Sequence, residues 1–485
     1  MNVAELLERL VRRHGWQAAP AYHAERTWTH GEIHSLAARC TEVLRGRGLR
    51  PGGRVALVLR DGPALVALFL AVARAGGVAV LLNPYLREAE RDRLLHGAVP
   101  DLVVAEEPVD RPGWSTVDAL VAAAERAPEG AAVQVSDSAD LYVQFTSGTT
   151  GAPKGAVHRH GDLPAYQRAV GRDMLGISSA DVSLSISKMF FAYGFGNSLV
   201  YPLFTGSAAV LRPERPDPGT VAELVDRYGV TVLHGVPSAY ANLVADTDPA
   251  AFATLRVAVS AGENLPPTVG ARTRELWGVP VLNELGSTEV GGAYCANTLA
   301  DDAPGTLGRP LTGYGLRILD DAGRAVPPES PGRLWVRGPS MMDRYLDAPG
   351  ETERVLVDGW LCSNDTALQR ADGRFVHLGR ADDMELVGGI NVSPHEVEAV
   401  LGGHPAVREI VVAAVLDERG ASRLRAFAVP RADVVRHAGL ENELLDLARR
   451  RLAAYKVPRS VTFVDALPRT FSGKVQRFVA RTGSW

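Results

Sequence analysis

The segment TSGTTGAPKG, from Thr146 to Gly155, places three glycines, four hydroxyl side chains and one lysine within ten residues. Glycines let backbone N–H groups approach phosphate oxygens, and hydroxyls and a lysine add donors and positive charge. It is not the common P-loop, because Lys154 lies between Pro153 and Gly155 rather than between glycine and Ser or Thr. A polar surface turn is the alternative interpretation. The preceding run YVQF, predicted as a strand, favours a phosphate-binding loop.

A carboxylate that could hold a cation follows another predicted strand. The run PVLNELG is typical of a strand and leads into GSTE, which ends at Glu289. Ligands bind at the carboxyl ends of strands in α/β sheets, and Mg²⁺ prefers one or two carboxylates together with phosphate oxygens. Glu289 is therefore a candidate magnesium ligand. A solvated glutamate at a helix start is the alternative.

Two further segments contain groups suited to a nucleotide. In WLCSNDTALQRADGRFVHLGRADDMELVGG, Asp365 and Arg380 are candidates for ribose or phosphate contacts, and a surface hairpin built on the turn ADG is the alternative. In LPRTFSGKVQR, Lys474 follows Ser-Gly, a composition typical of mobile loops. An ordinary solvated lysine is the alternative there.

The elements around these segments alternate between strand and helix patterns. Thr29 and Glu32 form a T-x-x-E capping box, which predicts a helix that ends near Gly46. The continuous apolar runs RVALVL and VAVLL flank a helical run that begins at Pro63, and such runs are typical of buried parallel strands. Similar apolar strand patterns recur in SAAVLR, TVLHGV and LRVAVSAG, so the sequence predicts an α/β fold.

The pattern of predicted secondary structure changes twice further along the chain. From about Gly305, short strand patterns alternate with Gly/Pro turns, which predicts a small β-rich lobe. After Arg380 the pattern is that of a separate α+β unit. We therefore predict a large N-terminal domain of layered α/β subdomains plus the β-rich lobe, residues 1–380, and an α+β C-terminal domain, residues 381–485.

Composition excludes several classes of function. The chain has 485 residues and a net charge of −4, so it has no basic field to attract nucleic acid or a membrane surface. Its cysteines, Cys40, Cys295 and Cys362, lie far apart, which indicates neither a disulfide framework nor a zinc site. We expect a cytoplasmic protein with no signal peptide and no membrane span.

Taken in order, the four segments resemble motifs of the acyl-adenylate-forming family, which includes acyl- and aryl-CoA ligases, peptide-synthetase adenylation domains and luciferases. TSGTTGAPKG is similar to the family's phosphate loop, GSTE to its second motif, GRADDMELVGG to its hinge and PRTFSGKVQR to its C-terminal lysine motif. The runs SKMFFAYGFGNSLVYPL and SAGENLP are most similar to benzoate–CoA ligases.

The resemblance implies an ATP- and Mg²⁺-dependent ligase with a mobile C-terminal domain. An aryl acid of the substituted benzoate type would attack the α-phosphate of ATP, giving acyl-AMP and pyrophosphate. The thiol of CoA would then displace AMP. Attack brings two anions together, so the site must neutralise charge at the transferring phosphorus.

The resemblance also assigns roles to individual positions. Lys474 would be catalytic by reaching both the carboxylate and the α-phosphate, and Glu289 would be catalytic by holding Mg²⁺. Asp382 would be the hinge, and Gly388 and Gly389 would line the pantetheine tunnel. The nucleotide-binding residues that it implies are Thr146, Ser147, Gly148, Thr149, Thr150, Lys154, Gly262, Glu263, Gly286, Ser287, Thr288, Asp365 and Arg380.

The acyl pocket is expected to have aromatic and glycine walls suited to a flat ring. Benzoate ligases have a histidine near the position of Gly292. We expect glycine in place of that histidine to leave space for a ring substituent or a longer acid. His234 is expected either to bind such a substituent or to be a structural histidine. The substrate residues that we predict are Phe191, Ala192, Tyr193, His234 and Gly292.

Two positions depart from the family pattern. Asn364 replaces the glycine that usually precedes the ribose-binding aspartate, and Asn tolerates positive φ, so we expect the turn to survive. Leu285 replaces an aromatic residue that covers the adenine in many relatives.

Other functions remain open at this stage. A stand-alone adenylating enzyme would load the phosphopantetheine of a carrier protein instead of CoA. Another nucleophile or acid would give amide formation or nitrite-dependent diazotisation. A non-catalytic nucleotide-binding protein would have no need of Lys474. A homodimer is one assembly that the resemblance allows.

Overall fold

The computed structural model describes residues 1–107, 111–146, 153–380, 385–387, 390–416, 422–432, 434, 439–469 and 475–482. Helices and strands alternate through the N-terminal part, and the predicted α/β class is confirmed. The α-helices span Val3–His14, His30–Gly46, Pro63–Arg74, Glu88–Ala98, Val117–Ala124, Asp162–Tyr166, Ala192–Phe195, Tyr201–Thr205, Pro218–Tyr228, Pro237–Asp246, Pro267–Trp277, Pro349–Val355, Pro394–Leu401, Leu440–Arg451 and Arg477–Thr482.

Two mostly parallel sheets form the layers of the N-terminal part. In the first sheet the strands lie in the order Arg309–Pro310, Gly292–Ala296, Val281–Ser287, Val257–Ser260, Val232–Gly235, Val182–Ser185, Ala208–Val210, Pro20–His23 and Thr27–Thr29. In the second sheet the order is Arg344–Tyr345, Gly155–Arg159, Asp140–Phe145, Val78–Leu81, Arg54–Val58, Leu102–Ala105 and Trp114–Thr116.

Local sequence signals explain how the layers begin. The predicted capping box is present, since Thr29 Oγ1 accepts a hydrogen bond from the Glu32 N–H and Glu32 Oε2 accepts one from the Thr29 N–H. The strands Arg54–Val58 and Val78–Leu81 pair in parallel, as their continuous apolar composition predicts. The helix Pro63–Arg74 between them is buried along its length, apart from half-buried Ala64.

The predicted β-rich lobe is present, and its strands are antiparallel. Its strands lie in the order Gly315–Leu319, Gly332–Arg337, Trp360–Gln369 and Leu356–Val357, and Phe375–Arg380 pairs with Trp360–Gln369.

The C-terminal part is α+β, as predicted. The strands Val407–Leu416, Ser422–Pro430 and Ser460–Phe463 form one sheet, and Pro394–Leu401 and Leu440–Arg451 pack beside it. A hairpin of Glu385–Val387 and Ile390–Val392 precedes them. In the described ranges no helix is long and apolar enough to cross a membrane.

The sequence did not indicate two π-helical segments that cover one face of the first sheet. They span Gln167–Met174 and Gly196–Val200, each continuous with short α-helices. The Leu175 N–H donates to the Val170 carbonyl at 3.0 Å, an i→i+5 bond. Such segments are frequent at functional sites. Tyr166 immediately precedes the first segment and Tyr201 immediately follows the second.

Candidate active site

The two ends of the predicted phosphate loop meet at the tip of a hairpin. Asp140–Phe145 and Gly155–Arg159 are antiparallel partners. The Thr146 N–H donates to the Lys154 carbonyl at 2.9 Å, and the Lys154 N–H donates to Thr146 Oγ1 at 3.3 Å. The predicted loop therefore starts and ends at one point, although Ser147, Gly148, Thr149 and Thr150 lie outside the described residues.

Contacts of Lys154 link this loop to Glu289. The Lys154 ammonium forms an ion pair with Glu351 and lies 5.4 Å from the centroid of the Tyr345 ring. The Tyr345 hydroxyl donates to Glu289 Oε1 at 2.7 Å. Burial, together with the neighbouring Glu289 carboxylate, raises the pKa of Tyr345, so the hydroxyl stays a donor at neutral pH.

Glu289 lies just past the strand Val281–Ser287, in the short 3₁₀ turn Thr288–Val290. The Met342 N–H donates to the Glu289 carbonyl at 2.7 Å and fixes the backbone there. One carboxylate oxygen is held by Tyr345, and the side chain is half-buried. A hard oxygen donor in this setting fits Mg²⁺.

Asp365 and Arg380 are directly opposite each other on adjacent antiparallel strands. The preceding Asn364 has a φ of 62°, so the predicted left-handed turn is present. Arg333 Nη1 donates to the Asn364 side-chain oxygen at 2.9 Å. The substitution of glycine by asparagine therefore keeps the turn and gives it an added anchor.

His377 completes this cluster, and sequence reasoning missed it. Its Nε2 lies 3.1 Å from Asp365 Oδ1 and its Nδ1 lies 2.7 Å from Asn264 Oδ1. Burial would raise the pKa of Asp365, but the His377 hydrogen bond and the charges of His377 and Arg380 lower it overall. The register of the predicted ADG hairpin was the signal that could have placed His377 near Asp365, because the strand Phe375–Arg380 folds back on its neighbour.

The C-terminal part contacts the same edge of the first sheet. The Val475 N–H donates to Glu263 Oε1 at 3.0 Å, and Val475 forms an isolated antiparallel bridge with Arg469. The segment after Lys474 therefore lies against Glu263. Lys474 itself lies outside the described residues, as do Asp382, Gly388 and Gly389.

Two predicted glycines lie where chains approach closely or turn. Gly262 has a φ of 88°. A Cβ on Gly286 would lie 2.5 Å from the Gly292 carbonyl oxygen. Ser287, Thr288 and half-buried Leu285 flank this point, and the Ser287 hydroxyl has no hydrogen-bond partner among the described residues. Side chains at either glycine would disturb the strand ends that carry Glu263 and Glu289.

The predicted acyl-pocket residues come together above the first sheet. Tyr193 follows Phe191 and Ala192 at the start of a short helix, and its hydroxyl donates to the Val259 carbonyl at 2.8 Å. The His234 ring lies 6.0 Å from the Tyr193 ring and 6.1 Å from the Tyr201 ring, centroid to centroid.

The His234 imidazole is buried, at 1% exposure, and neither ring nitrogen has a hydrogen-bond partner within the described ranges. Burial, with a smaller effect of the Arg256 charge, lowers the pKa of His234 to about 3. The imidazole is therefore neutral at physiological pH.

The expectation that Gly292 leaves open space is wrong. A Cβ on Gly292 would lie 2.2 Å from the Tyr166 ring, so Tyr166 fills the volume beside it. The Tyr166 hydroxyl accepts from the Tyr201 hydroxyl at 2.8 Å and from the Ala293 N–H. Tyr166 comes from the helical run before the first π segment, and no local signal near Gly292 could have indicated it.

A buried carboxylate in this pocket was also missed. Glu284 is 5% exposed, and burial raises its pKa from the usual 4.5 to about 8. Its position inside the apolar strand run PVLNELG was the available signal, since a charged residue in such a run is rare without a function or a partner.

Comparison with known proteins indicates nucleotide binding, as the geometry of the site does. The sequence profile of AMP-binding enzymes matches residues 7–346, and that of the AMP-binding enzyme C-terminal domain matches residues 396–474. The chain is similar to the p-hydroxybenzoic acid–AMP ligase of Mycobacterium marinum, with 40% identity across 99% of this chain and 69% of that protein. It is also similar to the benzoate–CoA ligase of Thauera aromatica, with 36% identity across 94% of this chain and 91% of that protein.

A solved structure extends the likeness to the whole fold. The structure of an anthranilate CoA ligase in complex with anthranoyl-AMP matches with a TM-score of 0.95 and 29% identity, covering 100% of this chain and 97% of that chain.

Proposed function

The chain belongs to the AMP-binding enzymes, and from that premise we propose that an aryl carboxylate of the substituted benzoate type attacks the α-phosphate of ATP, giving acyl-AMP and releasing pyrophosphate. The thiol of CoA then takes the acyl group and releases AMP. The names of the relatives support this reaction, because they are ligases of benzoic and hydroxybenzoic acids.

One observation carries the proposal: the segment after Lys474, Glu289 and the predicted phosphate loop are brought to one edge of the first sheet. Val257–Ser260 and Val281–Ser287 are adjacent parallel strands with Ser260 opposite Asn283. Beyond their carboxyl ends lie Glu263, which binds the segment after Lys474, and Glu289, which Tyr345 links to Lys154. This edge is where an α/β sheet binds its ligand.

In the proposed adenylation, each residue either binds a charged or polar group of the substrates or positions a residue that does. Lys154 and the loop before it bind the β- and γ-phosphates, once the Lys154 ammonium exchanges Glu351 for phosphate. Asp365 accepts from the ribose hydroxyls, positioned by His377, with Arg380 beside it. Lys474 contacts both the carboxylate and the α-phosphate as charge develops between them. Glu289 would hold Mg²⁺, which supplies further neutralisation of the phosphates.

The second half-reaction rests on residues outside the described ranges. We propose that residues 381–485 move about Asp382 as one domain relative to residues 1–380, and that Gly388 and Gly389 admit the pantetheine arm. The 40% identity to an acid–AMP ligase supports one further candidate, in which the acceptor is the phosphopantetheine of a carrier protein. A cytoplasmic location and a homodimer remain predictions.

The decisive experiment is pyrophosphate release from ATP and Mg²⁺ with benzoates, cinnamates and short fatty acids, each with and without CoA. We expect release that requires an aryl acid, followed by a CoA thioester. Lys474→Ala should lower the rate by about 10²–10³-fold. Lys456→Ala is the matched control, because this lysine of the same region pairs with Glu396 on the surface.

The outcomes separate the candidates. Release with an aryl acid but no thioester would favour a carrier protein or another nucleophile as acceptor. No release with any acid, while ATP still binds, would overturn the ligase proposal in favour of a non-catalytic nucleotide-binding protein.

A further inference from the structure

We infer that Glu284 and His234 together bind a hydrogen-bond-donating substituent on the ring of the acid, and that the preferred substrate is an aminobenzoate. The inference rests on the proposed function, since it concerns the acid that the enzyme activates. It assigns to Glu284 a role in substrate specificity.

Strand register places the two side chains on one face of the sheet. His234 lies opposite Val259, and Val259 lies opposite Leu282 on the next parallel strand. Side chains alternate along a strand, so Glu284, two residues beyond Leu282, shares the face of His234. Strand spacing and rise put the two Cα atoms on the order of 10 Å apart. A benzene ring with its substituents fits between side chains at that separation.

Both groups are buried without a partner. The Glu284 carboxylate makes no hydrogen bond or ion pair within the described part of the chain, and burial is the cause of its raised pKa. Both nitrogens of His234 are likewise without partners there. Buried polar groups are almost always hydrogen-bonded in native proteins, so two such groups on one face indicate a site that a ligand completes.

The surrounding side chains make a site for an aromatic ring. Tyr166, Tyr193 and Tyr201 lie close enough to Glu284 for its ionised form to raise the pKa of each, and the last two flank the His234 ring. Tyr166 and Tyr201 use their hydroxyls on each other, and Tyr193 donates to a backbone carbonyl. The tyrosines therefore supply the walls, while Glu284 and His234 keep their hydrogen-bonding capacity for a ligand.

The chemistry of the pair favours an amine. Because its pKa is raised to about 8, Glu284 is mostly protonated at neutral pH, so its carboxyl offers one acceptor oxygen and one O–H donor. A neutral imidazole also offers one acceptor and one donor. An aromatic amino group carries two N–H donors and can satisfy one acceptor on each residue. A phenol has one donor, and an unsubstituted ring has none and would leave both groups buried and unpaired. A site built to hydrogen-bond a substrate strongly rejects the analogue that lacks the group.

The test is kcat/KM for pyrophosphate release with 2-, 3- and 4-aminobenzoates, the matching hydroxybenzoates and methylbenzoates, and benzoate. We expect one aminobenzoate to exceed benzoate and its methyl analogue by about 10²-fold or more. Glu284→Leu should collapse that ratio, and His234→Phe should lower it. Dissociation constants of the corresponding aryl sulfamoyl-adenosine analogues, measured by calorimetry, should change in parallel.

Asp181→Asn is the matched control, because Asp181 is a buried carboxylate that pairs with Arg256 at the amino end of the strand Val182–Ser185, whereas His234 lies opposite Ser185 at its carboxyl end. It should leave the amino-to-benzoate ratio unchanged even if it lowers stability. Glu284→Gln keeps the shape and should reduce the ratio less than Glu284→Leu. A wild-type preference for benzoate, a methylbenzoate or a hydroxybenzoate, or an unchanged ratio in Glu284→Leu, would overturn the inference while leaving the ligase proposal intact. No pyrophosphate with any acid would instead count against the proposed function itself.

Discussion

The nucleotide side and the acyl side of the candidate site differ in how their polar groups are satisfied. On the nucleotide side, Asp365 is bonded to His377, Glu289 to Tyr345, and Lys154 to Glu351. On the acyl side, His234 and Glu284 are buried, neither ring nitrogen of His234 has a hydrogen-bond partner in the described residues, and burial is the cause of the raised pKa of Glu284. The polar groups of the first region therefore hold each other in place before any ligand binds. Those of the second region would gain partners only from a ligand.

The largest expected difference between the two regions is in their response to pH. The pKa of Glu284 is raised from 4.5 to about 8, so the folded protein binds more protons than the unfolded chain between those values. Its contribution to stability is present below pH 4.5 and is lost as pH rises towards 8, at up to about 1.4 kcal/mol per pH unit. Urea unfolding of the ligand-free wild type and Glu284→Gln should show this slope only in the wild type.

Asp365 should behave in the opposite way. Its pKa lies below 3.8, so its stabilising contribution is present above that value and is lost as pH falls below it. If the free energy of unfolding changed with pH equally in wild type and Glu284→Gln between pH 4.5 and 8, the contrast between the two regions would be contradicted.

A smaller change in stability is expected from adding a side chain at Gly292 on the acyl side. Gly292→Ala should destabilise the protein by about 1–3 kcal/mol, because its Cβ would clash with the Tyr166 ring. Urea unfolding would measure the loss, and Gly292→Ala combined with Tyr166→Leu should recover part of it through coupling between neighbours. Gly46→Ala, where a Cβ meets nothing within 4 Å, is the control and should be neutral or stabilising. Additive losses in the double variant would show that Tyr166 does not fill this space.

The smallest effect is expected on the nucleotide side. Asn364→Ala should cost about 1–2 kcal/mol, since a residue with a φ of 62° is strained unless it is Gly or Asn. Asn364→Gly keeps the turn, and its free energy of unfolding should differ from that of the wild type by a few tenths of a kcal/mol. The loss of the Arg333 hydrogen bond is offset because glycine adopts positive φ without strain. Urea unfolding and KM for ATP would be measured together. A KM that rises in Asn364→Gly but not in Asn364→Ala would contradict this account of the turn.

Much of the fold, and the local backbone geometry on the nucleotide side, could be predicted, because their signals are local. The capping box at Thr29, the strand before Thr146 and the turn at Asn364 each depend on a few consecutive residues. The family resemblance drawn from four short motifs is confirmed by the profile matches.

The acyl side was predicted less well, because its shape depends on contacts between distant segments. Tyr166 fills the space beside Gly292 from another helical run, and only the strand register shows that Glu284 shares a face with His234. The sequence predicted His234 and Tyr193 as substrate residues, with a structural role as the alternative for His234, but could not show which neighbours contact them. The roles of all these residues in catalysis stay predictions until the variants are measured.

The π-helical segments make pocket shape depend on chain length as well as on residue identity. Each residue of an α-helix turns about 100°, and a π segment holds an extra residue within its turn. Deleting one residue from Gln167–Met174 would let that run relax into an α-helix and rotate the tyrosine walls relative to each other. Single-residue insertions and deletions in these two runs therefore offer a route to new acid specificity that substitutions cannot reach.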